Sequence, residues 1–141
     1  MQANARKTAS KKRLCIFLVD DSPDATLTLA VLLRDEGYIV HTCANPHIAM
    51  NAVREHQPDV CILDIKMPGK SGYDLAREIV AAGLIPEPVL IATSGHYKKP
   101  GEQLLARAVG FRHFVPKGED PKQLLEILDA LATGDDPPQA A

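Results

Sequence analysis

The chain has 141 residues, of which 45% are apolar and 24% charged, with a net charge of −2 at pH 7; this excludes a wholly disordered chain and leaves room for little more than one domain. No apolar run approaches the ~18 residues that cross a membrane. The polar start leads into LCIFLV, which Asp20-Asp21 closes too soon for a cleavable signal peptide.

Charge is unevenly placed. Residues 1–13 carry five basic groups and no acid, the last seven carry Asp135 and Asp136, and the body between them, with sixteen acids against eleven bases, stands at −5. An acidic body argues against direct nucleic-acid binding, which needs basic groups gathered on one face. The basic tail reads most simply as solvated.

The elements follow in chain order. LCIFLV (14–19) is a continuous apolar run of strand length. Ser22-Pro23 reads as the cap and first turn of a helix. Leu27, Ala30 and Val31, with Leu29, Leu32 and Leu33, supply its apolar face, which ends at Gly37. Tyr38 to Cys43 is a β-rich, more exposed segment. Asn45-Pro46 caps a second helix in which Ile48, Ala49, Ala52 and Val53 share a side.

Val60 to Leu63 is the strongest central strand, closed by Asp64. The turn-rich KMPGKSG leads into a helix over Tyr73 to Ala82. Val89 to Ala92 is a fourth strand. A basic loop, SGHYKKPGE, precedes a helix containing Leu104, Leu105 and Ala108. Phe111 to Val115 is a fifth strand, and a last amphipathic helix starts behind Asp120-Pro121. Strands without polar alternation must be covered on both faces, which helical crossovers provide. The expectation is a parallel five-stranded sheet with helices on both sides.

Cys15, Cys43 and Cys61 are odd in number and unpaired by spacing, which suits a reducing compartment and small buried thiols. The five histidines form no metal-binding spacing.

In such a sheet, sites form beyond the carboxyl ends of the strands where strand order reverses. Asp20 and Asp21 close the first strand, Asp64 the third and Thr93 the fourth, and Lys117 follows the fifth. If the first and third strands are neighbours, three carboxylates share one crevice and call for a cation. Mg²⁺ suits a few carboxylates plus water and phosphate oxygens, and the Lys117 ammonium and Thr93 hydroxyl suit a phosphoryl group. Each residue also has a plainer reading: Asp20-Asp21 as a helix cap, Asp64 as a turn residue, Thr93 as a local cap and Lys117 as a solvated loop residue. Their joint placement at four strand ends is what favours a site.

LVDDSPD, ILDIKMPGKSGYDLAREI, IATSGH and GFRHFVPKG together resemble the receiver (CheY-like) domains of two-component response regulators, over about residues 13 to 132. The resemblance implies a doubly wound, flavodoxin-like (βα)5 fold with strand order 2-1-3-4-5, flanked by tails at 1–12 and 133–141. It implies a phosphoacceptor switch rather than an enzyme, with Mg²⁺-dependent self-phosphorylation and weak autodephosphorylation. The phosphoryl group would pass from a histidine kinase or histidine phosphotransfer protein onto Asp64. Asp21 would be the main Mg²⁺ ligand, with Asp20, Asp64 and the Lys66 backbone carbonyl. Thr93 would be the switch hydroxyl, Lys117 the cation beside the site and Phe114 the aromatic that reports the phosphorylated state.

A downstream protein or fused output domain would read the change, and two copies could pair through the face of helix 4, strand 5 and helix 5. The expected compartment is the cytoplasm. Three features depart from the family pattern: Gly118 stands where proline usually follows the lysine, Lys66 puts a positive side chain at the mouth of the site, and the loop holding Tyr97 is long and basic. A phosphorylation-independent interaction module is the rival reading. A phosphohydrolase would need DxDx[TV] after the first strand, where this chain has DDSPD.

Overall fold

Each apolar run of strand length forms a strand, and each strand is followed by a helix. In chain order these are β1 (Cys15–Val19), α1 (Pro23–Asp35), β2 (Ile39–Cys43), α2 (Ala49–His56), β3 (Val60–Asp64), α3 (Gly72–Ala81), β4 (Val89–Ser94), α4 (Pro100–Val109), β5 (His113–Pro116) and α5 (Lys122–Ala132). The computed structural model describes residues 11–95, 100–118 and 120–135. The tail before residue 11, loop residues 96–99 with Tyr97, and the acidic end past 135 lie outside them.

All strand pairs are parallel, in the order β2-β1-β3-β4-β5. Alternation along the strands divides two cores, because successive side chains point to opposite faces. Phe17, Val19, Cys61, Leu63, Leu90 and Ala92 pack under α2, α3 and α4. Ile16, Leu18, Val60, Ile62, Ile91 and Val115 pack under α1 and α5. The central β3 is buried at all five positions, so its apolar run needs no polar alternation. No helix among the described residues is long and apolar enough to cross a membrane.

Several local expectations are corrected. Helix α1 buries Thr26, Ala30 and Leu33, whereas Leu27 and Val31 are 62% and 57% exposed. The Thr26 hydroxyl donates to the Asp20 and Ser22 carbonyls, and small Ala30 sits in the core, so the helix turns a different side to the sheet. Ser22 occupies the N-cap without a side-chain cap bond. In α2 the Asn45 side chain accepts the His47 N–H at 2.9 Å, an Asx turn that delays the helix to Ala49. Leu104 and Leu105 of α4 are exposed and Ala106 is the buried residue. Of the three thiols, Cys61 alone is buried, and all are free.

Helix α3 is tied down at its start by reciprocal bonds. The Ser71 hydroxyl accepts from the Asp74 N–H and the Asp74 carboxylate accepts from the Ser71 N–H, both at 3.1 Å. Ser71→Ala is expected to lower stability by about 1 kcal/mol, read as a fall in the urea midpoint at unchanged slope. The Ser71 N–H and then its hydroxyl hold the Asp74 carboxyl below its usual range. A depressed folded-state value contributes stability above the ordinary carboxyl range and loses it as pH falls through the depressed value. The difference between Ser71→Ala and the parent therefore narrows in acid.

Candidate functional site

Register alone brings the acidic strand ends together. Val19 lies opposite Leu63, and Asp64 opposite Thr93, so β1, β3 and β4 finish side by side at the point where strand order reverses. Asp20 is held from several sides. Its N–H donates to the Cys43 carbonyl at 3.2 Å, and its Oδ1 accepts the Ser22 N–H at 2.9 Å. One carboxylate oxygen each from Asp20, Asp21 and Asp64 lies within 4.8 Å of the others. Asp20 and Asp64 are buried, at 7% and 3% exposure, while Asp21 is exposed.

Lys117 arrives from the end of β5. Its backbone N–H donates to the Ser94 carbonyl at 2.9 Å. Its Nζ lies 2.9 Å from Asp20 Oδ2 and 3.2 Å from Asp64 Oδ2. Among the described residues only the Ile85–Pro86 bond is cis, so Lys117 meets both carboxylates through a trans bond to Gly118. The glycine at the departure from the family pattern therefore does not keep the lysine away.

One ammonium faces three carboxylates, and titration behaviour follows from that imbalance. Burial, then the charge of Asp20, pushes the Asp64 carboxyl above its ordinary range; the Lys117 hydrogen bond and charge and the Lys66 backbone N–H pull the other way. Burial works against the Lys117 charge, but its hydrogen bonds to Asp20 and Asp64 outweigh it and raise the ammonium overall. The excess negative charge and an all-oxygen donor set fit a hard divalent cation.

Thr93 is buried at 9% exposure, in register with Asp64. It lines, with Asp20 and Lys117, a cavity of about 790 Å³ that runs between α1 and α5. Phe114 is half-buried against the core under α2 to α4. The Lys66 side chain is exposed, while its backbone N–H is one of the groups that draw the Asp64 carboxyl downward. Sequence reasoning had no view of the supports of Asp20, namely Ser22, Thr26 and Cys43. It also gave Gly72 no role, although the motif KMPGKSG contained it.

Comparison with known proteins bears on the family and the fold. Residues 16–129 match the family described as the response regulator receiver domain. Protein PilH of Pseudomonas aeruginosa is 29% identical over 120 residues, covering 84% of this chain and 98% of PilH. The DNA-binding response regulator MtrA of Mycolicibacterium smegmatis is 32% identical over 124 residues, covering 87% of this chain and 53% of MtrA, so the chain spans about half of that relative. A two-component response regulator of the LuxR family from Aurantimonas superposes with a TM-score of 0.77 at 26% identity, covering 89% of each chain. The chemotaxis response regulator CheY4 of Vibrio cholerae, 23% identical, shares the fold with a TM-score of 0.77 over 85% of this chain and 99% of its own.

Proposed function

Because this chain belongs to the response regulator receiver domain family, we propose that Asp64 is its phosphoacceptor and that the receiver domain extends over residues 13–132, with tails at 1–12 and 133–141. The observation that carries this reading is the meeting of Asp20, Asp64 and Lys117 from the ends of β1, β3 and β5. A phosphorylation-independent module would have no use for a buried carboxylate pair sharing one lysine, and that rival is not favoured.

In the transfer, an Asp64 carboxylate oxygen forms a bond to phosphorus as the donor's P–N bond breaks. The product is an acyl phosphate, and the donor histidine keeps the bond's electron pair and takes a proton from solvent. Lys117 neutralises charge on the transferring oxygens, so positioning and electrostatics carry most of the rate. Mg²⁺ would be held by Asp20, Asp21, Asp64 and the Lys66 carbonyl, and when bound it supplies further charge neutralisation. Thr93, beside Asp64, then has phosphoryl oxygens within reach of a small movement. Phe114, on the neighbouring strand, is the aromatic whose packing follows that movement.

The donor is a histidine kinase or histidine phosphotransfer protein, in the cytoplasm. The reader is a downstream protein or a fused output domain. Two copies could pair through the face of α4, β5 and α5; Leu104, 66% exposed on α4, and Leu105, which lies beside Tyr73 and Met67 on the α3 side of that helix, add exposed apolar surface to α4.

The test is incubation with a small-molecule phosphodonor, with and without Mg²⁺, followed by intact mass. One Mg²⁺-dependent phosphoryl increment is expected. A folded protein that gains none at short times would return the phosphorylation-independent reading to first place.

A further inference from the structure

Helix α3 opens on a glycine where alanine would favour the helix by roughly 1 kcal/mol, and Gly72 has no positive φ to explain it. The reason is space. A Cβ at Gly72 would stand 2.4 Å from the Asp64 carbonyl oxygen and 3.0 Å from both the Asp64 carbonyl carbon and Ile65 Cα. These are backbone atoms that cannot swing aside. The Gly72 N–H also donates to the Ile65 carbonyl at 3.0 Å, and from the other side the Ile65 N–H donates to the Thr93 carbonyl at 2.9 Å.

The peptide joining Asp64 to Ile65 is thus clamped between β4 and the first residue of α3. Gly69, in the same loop, differs. Its φ is +84°, and a Cβ there would meet only the imidazole of His47, the movable end of a side chain.

From this contact we propose that Gly72 is a positioning residue for phosphoryl transfer: its bare Cα lets α3 press on the acceptor's own peptide and fix the line of the Asp64 carboxylate between Lys117 and the incoming phosphorus. The proposal rests on Asp64 being the acceptor. Adding one methyl group pushes the 64–65 peptide toward β4 and turns the carboxylate off that line. Displacements near 1 Å at a reacting group lower rates by up to about a hundredfold.

The test measures phosphorylation rate against donor concentration at saturating Mg²⁺ for the parent, Gly72→Ala and Ser71→Ala, with thermal unfolding alongside. Gly72→Ala is expected to lose ten- to a hundredfold in maximal rate, on the order set by such displacements, at an unchanged half-saturating donor concentration. Ser71→Ala weakens the same helix start without touching Asp64 and is expected to keep the parent's rate. A Gly72→Ala rate equal to the parent's, or an equal slowing in Ser71→Ala, overturns the positioning role while leaving the acceptor in place. No uptake by the parent sinks the acceptor reading itself. Should Gly72→Ala not fold, amide exchange of the parent decides: Ile65 and Gly72 amides that exchange only with global unfolding support the clamp, and fast local exchange overturns it.

Discussion

Asp64→Asn is expected to abolish phosphoryl uptake while leaving the fold intact. The asparagine side chain keeps the volume and planar shape of the carboxylate at a site 3% exposed, so the packing around β3 is undisturbed. Its amide supplies neither the anionic nucleophile nor a charge for a cation, and among the described residues neither remaining carboxylate of the cluster is placed to replace it. Asp20 is committed to Lys117 and to the Ser22 N–H, and Asp21 is exposed, outside the grip of Lys117. Intact mass should show the parent gaining one phosphoryl group and the variant none; a variant that still gains one at the parent's rate would move the acceptor elsewhere.

The same substitution carries a stability signature. Burial and the Asp20 charge raise the folded-state value of the Asp64 carboxyl. An acid raised on folding binds more protons in the native than in the unfolded chain, so stability falls as pH rises through the window above the ordinary carboxyl value. Asp64→Asn removes that penalty. In the presence of a chelator, it should therefore unfold at a higher temperature than the parent near neutrality, with the difference shrinking once the pH drops below the ordinary carboxyl range.

Lys117→Met is the second large effect. Removing the ammonium leaves Asp20 and Asp64 buried beside each other, with no other cation among the described residues paired to them. Breaking a buried pair in this way costs about 3–5 kcal/mol; with the Lys117 side chain 32% exposed, solvent screening brings the expectation down to about 2 kcal/mol. The loss should be largest without divalent cation, and Mg²⁺ should raise the unfolding temperature of the variant by more than that of the parent. Phosphorylation should slow by about a hundred- to a thousandfold, the range for deleting one stabiliser of transition-state oxygens. Thermal unfolding with and without Mg²⁺, beside the rate of mass gain, checks both. An unchanged rate would mean that Lys117 is a structural counter-ion only.

The chain's architecture was legible because two signals agreed. Apolar runs of strand length, separated by stretches of helical spacing, leave few arrangements other than a parallel sheet covered on both faces. Asp20, Asp64, Thr93 and Lys117 could be placed together because each stands at or just after a strand end, where parallel order gathers residues distant in sequence. The errors fell where local composition did not distinguish sides. Helix α1 is apolar around much of its circumference, so its pattern could not show that Thr26 and Ala30 face inward while Leu27 and Val31 face out. In α2, Asn45-Pro46 read as a cap, yet the Asn45 side chain spends its oxygen on an Asx turn before the helix begins.

The order of elements, the two-faced sheet and the identity of the charged groups can be read from the residues, because hydrophobic periodicity and strand-end position are local properties of the chain. The reach of Lys117 to Asp20 and Asp64 with no proline after it, and the room that Gly72 leaves for the Asp64–Ile65 peptide, came from the folded arrangement alone. Those are distances between residues up to 97 positions apart, fixed by the register of neighbouring strands and the close packing of a helix start on a strand end.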